Sequence, residues 1–348
     1  MRGNQVRCRL KMGQTSALKP AKKAVVLLSG GLDSALAAAL LIGQGIGVEA
    51  VFFNFPFYSL KKKGECQALN VARALGVKLK MITRDREFIR IVRKPRHGYG
   101  KGMNPCIDCK IFMLKEAKKY AKKIGASVVV TGEVLGERPM SQHRRALEII
   151  ERESGLNGRI LRPLSAKLLP ETDVEKDGTI DRGKLLDISG RQRKRQIELA
   201  KNLEVTGYAS PAGGCLLTDK YFAKRLRDLF KNTERVTLRD IELLKVGRHF
   251  RHGLNKIIVG RDEEENRHLL SLKRKNEYHF EISECGSPIT LLQGPVSKEA
   301  IRTGAALTAY YSDSEDNPIT VMCGTRELNK STTVPRIKES EVNRLRIT

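Results

Sequence analysis

No apolar run in this 348-residue chain is long enough to cross a bilayer, so no membrane segment is expected. Residues 1–23 carry Arg2, Arg7, Arg9, Lys11, Lys19, Lys22 and Lys23 but no acid, and they lack the apolar core of a secretory signal. They read as a basic N-terminal arm. Acidic residues are scarce throughout: 39 Asp and Glu face 65 Lys and Arg, a formal net charge of +26. A basic, ion-pair-rich surface usually balances its acids against its bases; this excess instead asks for a polyanionic partner, most simply a nucleic acid. The cysteines, seven in all, are odd in number and scattered. That excludes an extracellular disulfide framework and suits a reducing cytoplasm. Neither internal repeats nor low-complexity tracts occur, and 40% hydrophobic content over this length provides for two domains with real cores.

What the chain does have is Ser29-Gly30-Gly31-Leu32-Asp33-Ser34, set between the apolar run Ala24–Leu28 and an alanine- and leucine-rich stretch from Ala35. The order is strand, glycine turn, helix. Adjacent glycines let the backbone turn tightly and approach a ligand. The new helix offers free N–H groups and a positive dipole end, which suits a phosphate, and the Ser29 and Ser34 hydroxyls can add donors. No Gly-Lys-Ser/Thr follows, so this is not a Walker loop, and it is not a dinucleotide fingerprint.

Residues 24–164 alternate apolar runs (24–28, 48–54, 78–83, 127–131, 159–164) with helical stretches (34–44, 63–75, 86–93, 106–124, 140–153). This predicts an α/β domain: a mostly parallel sheet with helices on both faces and ligands beyond the carboxyl ends of the strands. Residues 29–34, 54–58 and 131–142 are expected to face one crevice. Residues 168–186 read as a polar hairpin or excursion before a helix at 191–203, whose start is crowded by Arg191, Arg193, Lys194 and Arg195. Cations there oppose the helix dipole, so a phosphate of RNA is a candidate partner, against a plain solvated charge run. After residue 218, helices at 221–231, 238–245 and 298–311 and strands at 248–252, 256–259, 278–282, 290–293 and 320–323 predict a smaller α+β domain. The expected division is 1–23, 24–220 and 221–348.

Cys106 and Cys109 are the only closely paired cysteines. Pro105 suits the first turn of a helix, where the dipole favours thiolate. Such a pair is open between a redox dithiol, a zinc corner and iron–sulfur ligands. Cys215 follows two glycines in Ser210-Pro211-Ala212-Gly213-Gly214-Cys215, on an accessible turn. Cys66 falls on the 63–75 helix, Cys8 in the arm, and Cys285 and Cys323 in strand-like pieces; these read as structural.

The Ser29–Ser34 loop resembles the pyrophosphate-binding loop of the PP-loop ATP pyrophosphatases. The chain to about residue 218 resembles the catalytic domain of tRNA thiouridine synthases, on Thr131–Glu137, Ser141-Gln142, Leu161–Leu164 and the Gly213-Gly214-Cys215 run. The resemblance implies an ATP-dependent sulfurtransferase that adenylates a uridine carbonyl oxygen of tRNA and replaces it with sulfur. It implies ATP-binding roles for Ser29, Gly30, Gly31, Asp33, Ser34, Phe53, Thr131, Gly132 and Gln142, with Asp33 positioning the loop or Mg2+. It places Cys215 as the catalytic cysteine. In the iron–sulfur subset of these enzymes, Cys106, Cys109 and Cys215 would hold a [4Fe–4S] cluster with one open iron. The sulfur donor is then sulfide or a persulfide carrier. Two departures stand out. Residues 1–23 leave no room for the family's THUMP region, which puts its usual target nucleotide in doubt, and no rhodanese is expected. Residues 256–330 weakly resemble the RNA-binding domain of the NFACT family, through Ile257–Arg261, Glu265-Asn266 and Ala305–Tyr311. The rival readings are another PP-loop adenylating ligase, which needs no cysteine trio, and a non-catalytic RNA-binding or zinc protein with a vestigial ATP loop.

Overall fold

The computed structural model describes residues 22–58, 66–208 and 214–347. The basic arm up to residue 21 and Ser210–Gly213 lie outside the described residues. In chain order the elements are β1 (Lys23–Leu27), α1 (Leu32–Ile42), β2 (Gly47–Phe53), α2 (Gln67–Ala74), β3 (Lys78–Ile82), α3 (Asp85–Arg93), α4 (Cys106–Ile124), β4 (Val128–Thr131), α5 (Arg144–Ser154), β5 (Ile160–Leu161), α6 (Asp173–Lys176) and α7 (Lys194–Asn202). Then follow α8 (Lys220–Asn232), α9 (Leu238–Leu243), β6 (Arg248–His252), β7 (Asn255–Val259), α10 (Glu263–Leu272), β8 (Tyr278–Glu281), β9 (Thr290–Gln293), α11 (Lys298–Tyr310), β10 (Ile319–Gly324), β11 (Lys330–Val334) and α12 (Glu339–Leu345).

The first sheet has the order β3-β2-β1-β4-β5. β1 pairs in parallel with β2 and β4, and β4 in parallel with β5. Val128–Thr131 and Ala24–Leu27 are buried along their whole length, as strands covered on both faces must be. Buried Ala35–Ala38 and Leu41 make α1 apolar nearly all round, so it too belongs to the interior. Successive strands run outward from β1 to β3, and the chain then crosses to β4 on the other side of β1. The point where strand order reverses therefore lies between the carboxyl ends of β1 and β4, where Leu27 stands opposite Thr131.

The second sheet has the order β11-β10-β8-β9-β7-β6 and is antiparallel at its resolved pairs. On one face α11 closes over Phe280, so tightly that a methyl group at Gly304 would come within 2.7 Å of the Phe280 ring. Leu243 of α9 and Leu269 of α10 join Ile258 and Leu291 in a separate core cluster.

The chain groups into two compact units that are each discontinuous in sequence. One takes the described residues to Phe52, Cys66–Lys80 and 114–208; the other takes 53–58, Met81–Met113 and 214–347. This differs from the sequence-order division at 220, because α8 and the segment before it pack with early residues. Phe57 meets Phe222 edge-on at 6.2 Å between centroids, and the Arg93 guanidinium donates to the Phe230 carbonyl at 2.7 Å.

Other expectations need correction. Of the two forms expected at 168–186, the structure has the excursion and not the hairpin: the segment makes short helical turns, because Val174, Ile180 and Leu185 drop irregularly into the β1–β4 core instead of alternating. The helix expected from Met140 starts at Arg144, where the His143 ring accepts from Ala146 N at 3.3 Å. Elements α10, β11 and α12 were not anticipated.

Candidate functional site

The loop after β1 is built largely from backbone. Gly30 has φ +82°, and a Cβ there would stand 2.6 Å from the backbone N of Ala68, so both its conformation and its neighbour require glycine. Gly31 caps α1 without any side-chain hydrogen bond, which leaves the helix N-terminus open to an anion. The Ser34 hydroxyl donates to Gly31 O at 2.9 Å and lies 3.1 Å from the Ser29 hydroxyl, so the two serines brace the turn. Gly132, just past β4, lies so close to the Asp33–Ser34 backbone that an added methyl would overlap it. Of the three stretches expected to face one crevice, Ser29–Ser34 and the Thr131–Gly132 end of β4 meet at the switch point of the sheet, while residues 54–58 group with the second unit.

Charge is arranged around Asp33. One Arg193 Nη lies 3.5 Å from its Oδ2 and 2.7 Å from Glu137 Oε1, while Asp33 Oδ1 is buried with no hydrogen-bond partner. Burial pushes the Asp33 carboxyl up to about 6; Glu137 adds to the rise, and Arg193 and Arg138 oppose it. Gln142 is buried as well, with its side-chain carbonyl lacking a partner. Behind the loop, Glu133 accepts from Thr131 Oγ1 at 3.1 Å and pairs with buried Arg162 at 3.2 Å, which also reaches Glu151 at 3.2 Å. Removing either partner would strand a buried charge, so the pair pins the end of β4.

The sequence reading assigned Arg193 to RNA. The structure turns it into the loop site, and α7 begins at Lys194, so Arg191 precedes the helix and Arg193 sits at its N-cap. Cations at that end do have anions: Asp33 and Glu137 for Arg193, and Asp187, at 2.7 Å, for Arg195. Arg191 and Lys194 are exposed. Glu137 was missed as a site residue, although it closes the Thr131–Glu137 stretch that carried the resemblance. Phe53 ends β2 and is buried, its ring 5.7 Å from that of Phe55.

The three cysteines belong to the second unit. Cys106 opens α4, and Cys109 N donates to the Pro105 carbonyl at 2.8 Å. Met103 N donates to the Leu217 carbonyl at 2.8 Å, and Cys215 forms a bridge with Tyr58. Asn104 Nδ2 stands 3.1 Å from Cys106 Sγ. The expectation that the helix dipole would favour thiolate fails at Cys109. Burial pushes this thiol well above the ordinary range, and neighbouring Cys215 and Cys106 push it the same way against Lys110. Cys109 thus feels both of the other cysteines. Among the described residues, no three His, Cys, Asp or Glu side chains close around a single ion. Cys66 caps α2 rather than lying within it, Cys323 is buried on β10, and Cys285 lies in the loop after β8. No helix among the described residues is long and apolar enough to cross a membrane.

Residues 20–168 match the family model "Thiamine biosynthesis protein (ThiI)", and residues 247–346 match the NFACT protein RNA binding domain. A probable tRNA sulfurtransferase of Thermococcus kodakarensis is 32% identical over 142 residues, 41% of this chain and 36% of that protein. A tRNA-specific 2-thiouridylase MnmA of a Nitratiruptor species is 34% identical over 116 residues, 32% of this chain and 34% of that protein. Among solved structures, a 4-thiouridine synthetase–RNA complex with bound ATP is similar at a TM-score of 0.37 and 21% identity, over 64% of this chain and 52% of that one. The chain thus spans about a third of the length of these two curated relatives. It joins a segment matching the ThiI family, residues 20–168, to a segment matching the NFACT RNA-binding domain, residues 247–346.

Proposed function

We propose that the chain is an ATP-dependent tRNA thiouridine synthase, which activates a uridine carbonyl oxygen as an adenylate and replaces it with sulfur. The carrying observation is that Met103 N donates to the Leu217 carbonyl and Gly102 packs against the same carbonyl, so the segment leading into Cys106 and Cys109 lies against the one that follows Cys215, in a chain that also holds the Gly30-Gly31 loop. The names of the aligned relatives, a tRNA sulfurtransferase and a 2-thiouridylase, support the same reading for the loop-bearing segment.

In this scheme the uridine oxygen attacks the α-phosphate of ATP and pyrophosphate leaves. Gly30, Gly31 and the open α1 N-terminus would receive the pyrophosphate, with the Ser29 and Ser34 hydroxyls turning toward it. The buried, unpartnered Asp33 Oδ1 fits a Mg2+ ion, which binds through a carboxylate and phosphate oxygens. Arg193 would then exchange carboxylate for phosphate. Sulfur next attacks the activated ring carbon and AMP departs with the oxygen.

Cys106, Cys109 and Cys215 would hold a [4Fe–4S] cluster. Each thiolate of such a cluster binds a different iron, so the ligands need not crowd as they do around one ion. Metal binding also deprotonates a thiol outright, which the upward shift of the Cys109 thiol requires. When bound, the cluster would offer sulfide an open iron. The alternative donor is a persulfide on Cys215: its outer sulfur bonds to the ring carbon, and Cys106 or Cys109 then forms a disulfide with Cys215, freeing the thiouridine. A thiol reductant restores the pair. The NFACT-type domain would contribute RNA binding, and the setting would be the reducing cytoplasm.

Asp33→Ala should reduce pyrophosphate release from ATP on the order of a hundredfold. Near wild-type release would overturn the adenylation step. Anaerobically purified protein should be brown and contain about four irons per chain. Full thiolation by an iron-free preparation would favour the persulfide.

A further inference from the structure

A cleft of about 260 Å3 in the second unit is lined by Lys101, Gly102, Thr218, Lys220, Lys224 and Arg227, among others. Four of these side chains are cationic and none is acidic. Lys220, Lys224 and Arg227 recur at one-turn spacing on α8, whose Phe222, Leu226 and Leu229 are buried. Like charges three and four positions apart repel, and Lys220 also opposes the helix dipole. Helix stability therefore does not explain them. Elsewhere in the unit arginines are matched by carboxylates, as Arg251 is by Asp228. Among the described residues, no carboxylate pairs with any of the four cleft cations; Arg227 donates instead to the Gly102 carbonyl at 2.9 Å.

The cleft adjoins the cysteines through both of its chain segments. The Thr218 hydroxyl donates to the Cys215 carbonyl at 2.8 Å. Gly102 packs against the Leu217 carbonyl so closely that only glycine fits, and the chain then runs on through Asn104 to Cys106. Tyr99, within electrostatic reach of Arg227, has its hydroxyl fixed to the Val92 carbonyl at 2.7 Å while 39% of the residue remains exposed. An anchored, part-exposed aromatic ring near Arg227, together with the cleft's cations, is the composition of a single-stranded nucleic-acid groove.

We infer that this cleft is a phosphodiester seat for the RNA strand that presents the substrate base to the cysteines. The inference rests on the thiouridine synthase reading and adds to it a strand-holding site apart from the NFACT-type domain.

The test is binding of an unmodified tRNA transcript to the full-length protein over a series of salt concentrations. In Lys220→Ala/Lys224→Ala, the slope of log K against log salt should flatten by about 1–2, because each lost phosphate contact removes about 0.7–0.9. Affinity should fall and the KM for tRNA should rise. Lys101→Ala, on the other segment, should act in the same direction, whereas Lys122→Ala on α4 should change neither slope nor affinity. Wild-type slope and affinity in both cleft variants would overturn the seat. So would variants that lose only inorganic phosphate binding, which marks a free-anion site. Loss of thiolation confined to assays with a protein persulfide donor, at unchanged tRNA affinity, would make the cleft a docking face for an acidic carrier and overturn it too. Failure of the wild-type protein to bind tRNA would instead overturn the parent reading, and the seat with it.

Discussion

The proposed phosphate loop and the proposed cysteine site would both take up negative charge, and they differ in how their charged groups are arranged. At the loop, backbone N–H groups and Arg193 stand ready for anionic oxygen, and the carboxylates of Asp33 and Glu137 hold that arginine meanwhile. At the cysteines, desolvation pushes the half-buried Cys109 thiol well above its ordinary range, and nearby thiols reinforce the effect. The loop is complete as polypeptide. The Cys109 thiol would become anionic when a cationic partner offsets its desolvation.

The sharpest way to break this contrast is to remove the thiols singly. Cys106→Ala, Cys109→Ala and Cys215→Ala should each abolish thiolation, read by mass spectrometry of tRNA nucleosides, while Cys66→Ala, Cys285→Ala and Cys323→Ala retain it. Equal losses in both groups would remove the trio from the chemistry. Next in size, Gly132→Ala should destabilise the protein by roughly 1–3 kcal/mol, because its methyl would overlap the Asp33–Ser34 backbone. An unchanged denaturation midpoint would show that the loop does not rest on that close approach.

Smaller, but more diagnostic, is the titration of Asp33. Its carboxyl, followed by NMR in nucleotide-free protein, should titrate at about 6. Glu137→Gln should lower that value and Arg193→Gln should raise it, since the first removes a repelling charge and the second an attracting one. Because the folded value lies above the ordinary 3.8, protonated Asp33 favours the fold at low pH. That advantage fades as pH rises towards about 6, a trend that Asp33→Asn should abolish. A titration at the ordinary value would show a solvated aspartate. The smallest effect concerns alkylation: iron-free Cys109 should react far more slowly with iodoacetamide at neutral pH than a model thiol. Rapid labelling would contradict the upward shift of this half-buried thiol.

Legibility in the sequence followed locality. The Ser29–Ser34 loop and the β1–β4 framework were readable because the glycines, the apolar runs and their spacing lie within one short window. The trio required resemblance, since no local pattern joins position 215 to 106. Elements α10, β11 and α12 escaped because each buries a single residue, Leu269, Val334 and Val342, and so leaves no periodic signal. Arg193 shows a subtler limit. Its position at a helix N-terminus suggested an RNA phosphate, but the anions it meets in this structure, Asp33 and Glu137, come from distant segments.

The hydrogen bond from Met103 to Leu217 joins two segments that are made at different times during synthesis. The glycine loop, β1 and β4 all precede residue 132, so that part of the sheet can assemble while the rest of the chain is still being made. The third thiol leaves the ribosome only after position 215 has been added and has cleared the exit tunnel. Until then Cys106 and Cys109 form an incomplete pair, open to stray metals and oxidants. Loading of the proposed cluster would thus be a late step, and a ribosome-stalled chain ending before Cys215 would be the place to see what occupies the first two thiols in the interval.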